Sequence, residues 1–328
     1  MIHIGVIGCG KIAQKHLNAY RKIENIKVTV SDIVDKGKTV ANNYGASWCD
    51  NPDELFKNSS IDAIDVCVPT PSHCEVILKA LGNKKHIFCE KPLACNIDEA
   101  IQIKQKAEKV KKVVMVGYLY RFHPAFQFVK DIVEERIIGR PYYAIFRLGG
   151  RGSHKAWKHL RNTGGGACNE MLVHMLDLIL WYFGTPRSVS PLYMETLIKE
   201  RLINGQKVNP DAEDLIVVKL DMENNVKVLC ESDLITPSYM NYLEIHGDNG
   251  SIWTSILDFF PTIVYCREPR GIYDRGHNFF NFTKVDLFEQ QLRHFVKCIG
   301  NNRPPALNSI DDSIKVMNLL DSIMKELR

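Results

Sequence analysis

This 328-residue sequence lacks the features of an exported or membrane-bound protein. Its ten cysteines include no Cys-x-x-Cys pair and no paired spacing typical of metal ligands, a usage that indicates buried thiols in a reducing compartment. No stretch approaches the roughly 18 uninterrupted apolar residues of a membrane-spanning helix. The start shows no charged region followed by a cleavable apolar stretch. We therefore expect a cytoplasmic protein that is neither exported nor inserted in a membrane.

The sequence also has little excess charge of either sign. Its formal net charge is +4 at pH 7, and the charges are interspersed. A short basic run over residues 104–112 is typical of one solvated helix face rather than a nucleic-acid-binding patch. With 45% hydrophobic residues the chain can bury a substantial core, and its length indicates about two domains.

A glycine turn is the first motif that points to a function. The apolar run over residues 2–7 leads into Gly-x-Gly-x-x-Ala, in which Gly8 permits a sharp turn and Gly10 leaves room for a pyrophosphate. The first N–H groups of the following helix, at Lys11 and Ile12, would then face the phosphates. Without its surroundings the motif also fits an ordinary strand-to-helix turn.

An acidic residue follows at the position expected for a ribose ligand. A second strand over residues 26–32 ends in Asp32, about twenty residues past the glycines, where a carboxylate would accept hydrogen bonds from both ribose hydroxyls. Asp32 would also repel a 2′-phosphate, and no arginine occurs in residues 33–36, so NAD is favoured over NADP. The alternative is that Asp32 caps the next helix.

The first third of the chain alternates strands and helices. Strand patterns recur near residues 46–48, 61–68, 86–90 and 113–118, with helical patterns between them. This alternation predicts a doubly wound parallel sheet, a Rossmann fold, over residues 1–120, with ligands at the carboxyl ends of the strands.

The pattern changes after residue 120. Strands with hairpin-like spacing follow one another, which predicts an α+β domain over residues 121–328 with a large, open, mainly antiparallel sheet. Apolar residues occupy both faces of the strands at 215–220 and 226–230, so we expect a homodimer or homotetramer built on the open face. A terminal helix over 309–327 is expected to pack back on the first domain.

Five segments in order carry a family resemblance over nearly the whole length. They are residues 8–13 (GCGKIA), 70–73 (TPSH), 90–94 (EKPLA), 117–124 (GYLYRFHP) and 164–177 (GGGACNEMLVHMLD). Through these segments the sequence resembles the glucose–fructose oxidoreductase, inositol dehydrogenase and rhizopine catabolism (Gfo/Idh/MocA) family. The resemblance implies bound NAD and hydride transfer at a secondary hydroxyl of a sugar, nucleotide sugar or cyclitol. It also implies cofactor contacts at Thr70, Pro71, His73 and Glu90.

Lys91 in the Glu-Lys-Pro segment is the first candidate catalytic residue. Oxidation of a secondary alcohol needs a base for the hydroxyl proton and positive charge near the developing carbonyl oxygen. Lys91 follows a strand end on the cofactor side of the sheet, and Pro92 restricts the turn behind it. Desolvation and the cationic nicotinamide would lower the pKa of Lys91, which would contact both cofactor and substrate. The alternative is a surface lysine at a helix start.

A second catalytic group is predicted in the segment 164–177. Glu170, His174 and Asp177 are spaced four and three apart, so they share one face of a predicted helix over 167–183. His174 is the predicted proton acceptor or relay, and Glu170 would orient its ring and contact substrate. Asp177 is interpreted as a structural residue. We predict no metal site, because nothing flanking these residues supplies further ligands.

The resemblance adds two departures and one further substrate contact, and the composition of a basic, aromatic loop adds another. The family usually has aspartate where this sequence has Glu170 and a small residue where it has Leu172, which changes the reach of the carboxylate and the pocket wall. Arg121 matches a family position near substrate and cofactor, with an interdomain ion pair as the alternative. In the basic loop 149–161, Trp157 would stack on a sugar face while cations grip a phosphate or carboxylate. A merely solvated loop is the alternative.

The leading hypothesis is an NAD-dependent dehydrogenase with a small-molecule sugar or cyclitol as partner, and no nucleic acid. Two alternatives stay open. One is a cofactor-binding regulator of the same fold, against which the retained Lys91 and His174 argue, because a sensor has no need of a positioned base. The other is an NAD-dependent glycosidase, in which transient oxidation assists elimination. Turnover of free NAD separates the dehydrogenase from both.

Overall fold

A computed structural model describes residues 1–34, 36–257 and 259–326. The chain divides into two compact units. The first comprises Met1–Leu119 and Asp286–Met317, and the second comprises Tyr120–Val285 and Asn318–Arg328. The structure thus divides after Leu119, beside the predicted division after residue 120. Leu327, at the end of the predicted last helix, lies outside the described residues.

The first unit is built on a parallel sheet that has six strands in the described residues. These are β1 (Ile2–Ile7), β2 (Ile26–Ser31), β3 (Ser47–Trp48), β4 (Ala63–Val66), β5 (His86–Cys89) and β6 (Val114–Val116). They lie in the order β3-β2-β1-β4-β5-β6, so the strand order reverses between β1 and β4. Ligands of such sheets bind outside the carboxyl ends of the strands at this switch point. The predicted doubly wound sheet is confirmed.

Helices cover both faces of this sheet. They are α1 (Lys11–Tyr20), α2 (Lys36–Asn43), α3 (Pro52–Lys57), α4 (His73–Gly82) and α5 (Ile97–Val110). Val6 in β1 and Val66 in β4 are therefore fully buried, as expected for parallel strands between helical layers. Local polar side chains set helix starts: the Asn96 side chain accepts a hydrogen bond from Glu99 N (2.9 Å) at the start of α5.

The second unit is built on a sheet with eight strands in the described part of the chain. In chain order this unit contains α6 (Pro124–Glu134), β7 (Pro141–Gly149), α7 (Val173–Phe183), β8 (Pro186–Glu195), β9 (Arg201–Ile203), β10 (Gln206–Val208), β11 (Leu215–Met222), β12 (Lys227–Asp233), β13 (Met240–Gly247), β14 (Gly250–Thr254), β15 (Thr262–Cys266) and β16 (Gly276–Phe280). The sheet order is β16-β15-β14-β13-β7-β12-β11-β8, and β9 and β10 form a separate hairpin. Only β7 and β12 pair in parallel within this sheet as described, so the predicted mainly antiparallel sheet is confirmed.

The two faces of this sheet differ in burial. Along β11, Ile216 and Val218 are fully buried, whereas the intervening Val217 is partly exposed. On the buried side, ten of the eleven residues of α7 are buried, so that helix forms part of the core. The other face carries large side chains that are partly exposed: Tyr143, Ile145, Leu229, Tyr242, Trp253 and Ile263.

Two further helices follow the sheet, α8 (Leu287–Gly300) and α9 (Ile310–Lys325). α8 packs on α1 within the first unit. Its start is fixed by Asp286, whose carboxylate accepts hydrogen bonds from Glu289 N (3.2 Å) and from Lys22 Nζ (2.7 Å). Phe295 of α8 lies edge-on to Phe88 of β5, with ring centroids 5.6 Å apart. The first unit therefore includes α8, although this helix follows the strands of the second unit in the sequence.

Candidate active site

The glycine turn joins β1 to α1 at the switch point of the first sheet. Gly8 has φ +97°, and a Cβ at this position would lie 2.8 Å from the backbone oxygen of Cys67, so glycine is required. Gly10 precedes α1 with an exposed, extended backbone, and no side chain of the described residues caps it. The first N–H groups of a helix have no partner within it, so those of Lys11 and Ile12 are available to an anion.

Asp32 lies directly after β2, beside this turn. Its Oδ2 accepts a hydrogen bond from Cys9 N (2.6 Å), and its Oδ1 accepts one from Val34 N (3.2 Å). Burial, together with the charge of Asp32, raises the pKa of the Cys9 thiol to about 12. Since Ile33 and Val34, the two residues after Asp32, are not helical, the alternative that Asp32 caps the next helix does not hold. The carboxylate is instead fixed to the backbone of the glycine turn.

These features fit a dinucleotide. The first unit offers the start of α1 for the pyrophosphate and, at Gly8, a turn that has no room for a side chain. The Asp32 carboxylate, at the end of the next strand, is available for the ribose hydroxyls. Thr70 and Pro71 begin a 3₁₀ turn after β4, the neighbour of β1, and both are at least partly exposed. Their contacts with NAD stay predictions.

His73 is buried at the start of α4, directly after the 3₁₀ turn that follows β4. Its Nε2 lies 2.9 Å from Val68 O and its Nδ1 lies 2.8 Å from Pro92 O. Burial lowers the pKa of His73, although both carbonyls act in the opposite direction. The ring thus links the segments that follow β4 and β5, a positioning role that sequence reasoning missed. A direct contact of His73 with the cofactor stays a prediction.

Lys91 follows β5 and is partly buried. The residues on either side of it are tied to the neighbouring segments: Glu90 N donates to Val66 O (3.2 Å), and Pro92 O is the carbonyl that faces His73. The Lys91–Pro92 peptide bond is cis. The contacts of Glu90 N and Pro92 O place the backbone that carries the lysine at the carboxyl edge of the sheet, beside β4, which is the neighbour of β1 and its glycine turn.

A buried network below Lys91 escaped sequence reasoning. His16 in α1 has no exposed surface; its Nδ1 donates to Asp65 Oδ2 (2.9 Å) and its Nε2 donates to Glu90 Oε1 (3.0 Å). Carboxylates accept hydrogen bonds, so these two contacts favour the doubly protonated imidazolium form of the ring. Burial by itself lowers the pKa of His16, but Asp65 and Cys67 raise it well above its usual range. A ring nitrogen of His16, a carboxylate oxygen of Asp65 and the sulfur of Cys67 all lie within 4.8 Å of one another.

The predicted helix over 167–183 is confirmed as one continuous helical segment. Within it, Cys168–Leu172 is π-helical, and the regular α-helix α7 follows from Val173. The sequence pattern did not predict the π-helical turn. Its start is fixed by Glu213, which sequence reasoning missed: Glu213 Oε1 accepts a hydrogen bond from Cys168 N (3.0 Å). Burial raises the pKa of Glu213. A Cβ on Gly166, which has φ +109°, would meet this carboxylate at 2.3 Å. π-Helical turns concentrate at functional sites.

Glu170 lies within this π-helical turn and forms an ion pair with Lys158. The Lys158 ammonium also lies over the ring of Trp157, 5.2 Å from its centroid. Trp157 and Lys158 are both partly exposed. The structure thus connects the predicted substrate residues Trp157 and Glu170 through a lysine that the sequence did not single out. Orientation of His174 by Glu170 stays a prediction.

His174 lies about one helical turn after Glu170 and is 9% exposed. Its ring packs against Tyr120, with centroids 5.0 Å apart. The Tyr120 hydroxyl is hydrogen-bonded to the Tyr239 hydroxyl, and burial raises the pKa of Tyr120 well above its usual range. Tyr120 is therefore an uncharged neighbour of His174, the predicted proton acceptor, and is itself held by Tyr239. Its role in proton transfer stays a prediction.

Arg121 and Asp177 form a buried pair within the second unit. Arg121 Nε donates to Asp177 Oδ2 (3.0 Å), and Arg121 Nη2 donates to Asp177 Oδ1 (2.7 Å). Both side chains are nearly inaccessible, 3% and 1% exposed. Such two-point pairs fix orientation strongly. The pair fixes Asp177 to Arg121 within the second unit. The structural role of Asp177 and the contact of Arg121 with substrate stay predictions.

The first unit, with its dinucleotide turn and its strand-end acid, defines a dinucleotide-dependent oxidoreductase. The chain belongs to the Gfo/Idh/MocA family. Residues 2–118 match the family model described as an oxidoreductase family with an NAD-binding Rossmann fold, and residues 126–253 match the Gfo/Idh/MocA C-terminal domain. Its cofactor is NAD. The predicted family and cofactor are confirmed.

Relatives cover most of the chain. It is similar to the inositol 2-dehydrogenase of Acidothermus cellulolyticus (31% identical over 271 residues, 76% of this chain and 72% of the relative). It is also similar to the myo-inositol 2-dehydrogenase of Thermotoga maritima (25% over 324 residues, 96% and 93%). A levoglucosan dehydrogenase solved with NADH and levoglucosan shares the fold, with a TM-score of 0.90 at 20% identity over 99% of this chain and 96% of that one. Among the described residues, no helix is long and apolar enough to cross a membrane.

Proposed function

We propose that this protein is a dehydrogenase that transfers a hydride between NAD and a secondary hydroxyl of a sugar or cyclitol. The position of Lys91 carries the proposal. The lysine follows β5 at the carboxyl edge of the sheet, the same edge at which the glycine turn joins β1 to α1. Two relatives along most of the chain are named inositol 2-dehydrogenases, which supports the substrate class.

The proposed chemistry divides between Lys91 and His174, which Tyr120 and Glu170 assist by positioning. Bound NAD supplies the hydride acceptor. Lys91 takes the hydroxyl proton and stabilises negative charge on the substrate oxygen. His174 accepts or relays a proton, and Tyr120, uncharged and packed on its ring, limits its motion. Glu170 holds Lys158 and thereby fixes one wall of the substrate site.

We extend the proposal to a substrate that carries a phosphate or nucleotide group. The loop over residues 149–161 supplies exposed cations near Trp157, and Trp157 offers an aromatic face for a sugar ring. Because Glu170 offsets the charge of Lys158, the anion would meet the exposed cations of this loop, which are Arg151, Lys155 and Arg161. Location in the cytoplasm and a preference for NAD over NADP, set by Asp32, belong to the same proposal.

The partly exposed face of the second sheet supports a symmetric oligomer, either a dimer or a tetramer. Its strands place aromatic and branched side chains at positions such as Tyr143, Tyr242 and Trp253. Faces of this kind are usually covered by a partner copy. Sedimentation at micromolar concentration should show a dimer or tetramer, and a monomer at all concentrations would contradict this proposal.

A substrate panel tests the proposed function. The purified protein is mixed with NAD and, separately, with inositols, free hexoses and UDP-sugars, and NADH absorbance is followed at neutral and mildly alkaline pH. Turnover of free NAD with one class supports the dehydrogenase. Tight NAD binding by calorimetry, without NAD turnover by any compound, would instead favour a regulator, and sugar release without net NADH would favour a glycosidase.

A further inference from the structure

We propose that His16 is a positioning residue for the reaction: its buried imidazolium fixes the Glu90 carboxylate and thereby the segment that carries Lys91. The inference rests on the proposed function, in which Lys91 takes the hydroxyl proton. His16 is 74 residues from Glu90 in sequence, and no step of the chemistry described above uses it.

The anchor of this network lies in the interior. Asp65 has no exposed surface, and it accepts hydrogen bonds from His16, from the Tyr20 hydroxyl (3.0 Å) and from Cys67 Sγ (3.3 Å). The His16 ring is also confined by Phe88 and Phe288, with centroids 5.4 Å and 5.7 Å away. An imidazole held in this way offers its second N–H to Glu90 in one fixed direction.

The outer end of the network lies beside Lys91. Glu90 is 14% exposed, and its carboxylate lies against Gly117, where an added Cβ would come within 3.0 Å of Oε1. The carboxylate therefore occupies a slot between His16 and Gly117. With Pro92 O facing His73, the side chain before Lys91 and the carbonyl after it are both fixed by histidines.

A buried charge is a costly way to fill space. A histidine between two carboxylates loses its water, and a hydrophobic side chain of similar size would fill the same volume without that cost. The cost of burying the charged His16 is explained if the Glu90 carboxylate needs a fixed position. A displacement of about 1 Å at a reacting group can lower turnover by about 10²-fold, so the proposed effect is large enough to measure.

Two substitutions of His16 separate positioning from stability. The amide nitrogen of asparagine lies near the place of histidine Nδ1, and that of glutamine near the place of Nε2. His16→Asn therefore keeps the contact with Asp65 and loses Glu90, whereas His16→Gln keeps Glu90. We expect kcat to fall about 10–100-fold in His16→Asn and much less in His16→Gln, with the NAD Kd little changed in both. Melting temperatures should not follow this order, because His16→Asn retains the more buried contact.

A double variant tests whether His16 acts through Glu90. If it does, His16→Asn combined with Glu90→Gln should lose no more kcat than Glu90→Gln by itself. His3→Asn is the matched control: His3 is a buried histidine at the amino end of β1, where its ring contacts Thr29 (2.8 Å) and Ser60 (3.2 Å). It should keep the unmodified kcat.

Two results would overturn the inference. One is an equal kcat in His16→Asn and His16→Gln. The other is a double variant whose fold-loss in kcat equals the product of the fold-losses of His16→Asn and Glu90→Gln. If His16→Asn fails to bind NAD, His16→Gln is compared with Glu90→Gln instead. A kcat in His16→Gln as low as that of Glu90→Gln would then count against positioning. Lys91→Ala runs in parallel. Activity that is lost in Lys91→Ala but kept in every His16 variant refutes this inference only, whereas an unmodified protein without turnover refutes the proposed function.

Discussion

The dinucleotide edge of the first unit and the start of α7 in the second unit are built in different ways. The dinucleotide edge is shaped by backbone: Gly8 passes against a carbonyl, and Asp32 is held by a backbone N–H. The start of α7 is shaped by side chains, with Glu170 paired to Lys158 and Glu213 holding the first N–H of the π-helical turn. The first region is thus set mainly by the course of the main chain, and the second by side-chain ion pairs and hydrogen bonds.

This difference shows which region can keep a constant ligand and which can change. Main-chain geometry survives most substitutions, so it suits a cofactor common to a family. Ion pairs among side chains change with one residue, as at position 170, so they suit different substrates. Variants of the glycine turn and of Asp32 should therefore alter NAD affinity, and variants near α7 should alter turnover, as should variants of Lys91.

The largest effect that would sharpen this comparison is expected at His174. Replacement by alanine removes the predicted proton acceptor, so kcat should fall by about 10²–10⁴-fold while the NAD Kd stays nearly unchanged. Steady-state kinetics and calorimetry on the same sample measure both quantities. His277→Ala, an exposed histidine of the same unit, is the control. Equal loss of NAD affinity and turnover in His174→Ala would break the division between the regions.

A smaller effect, on NAD affinity rather than on turnover, is expected at Gly8. Gly8→Ala places a Cβ 2.8 Å from the Cys67 carbonyl at φ +97°, and strain of this kind costs about 1–3 kcal/mol. NAD affinity should fall by roughly 10–100-fold. Gly45→Ala is matched, because Gly45 has φ +67° with no neighbouring atom within 4 Å among the described residues. If both variants bind NAD alike by calorimetry, the close approach at Gly8 has no role in the cofactor site.

The smallest effect is expected at Asp32. Asp32→Ser removes the carboxylate that would accept from the ribose hydroxyls, so NAD affinity should fall by about 10-fold and affinity for NADP should rise relative to it. Calorimetric titration with both cofactors gives the ratio. An unmodified protein with equal affinity for NAD and NADP would show that Asp32 does not face the 2′ position.

The two regions also differ in how far the sequence predicted them. The dinucleotide turn and the strands of the first unit follow from local patterns, because glycine spacing and apolar runs act over a few residues. The His16 network joins residues 49 and 74 apart, which periodicity does not register. A signal was present: Asp65 is a carboxylate inside a fully buried apolar strand, and such a charge requires a partner.

The start of α7 shows the same limit. The spacing of Glu170 and His174 predicted a regular helix, but Glu213, more than forty residues away in sequence, fixes a π-helical turn there instead. The Lys158 pair was likewise invisible, because the loop over residues 149–161 contains several cations and only folding selects one. Long-range polar contacts, rather than helical propensity, decide this region.

Lys91→Ala tests the central claim most directly. NADH formation with a confirmed substrate and NAD binding are measured on the unmodified protein, Lys91→Ala, Lys91→Arg and the exposed control Lys57→Ala. The account predicts that kcat falls by about 10²–10⁴-fold in Lys91→Ala, and nearly as far in Lys91→Arg because guanidinium does not deprotonate near neutral pH, with NAD affinity preserved. Turnover of Lys91→Ala at the unmodified rate would contradict it.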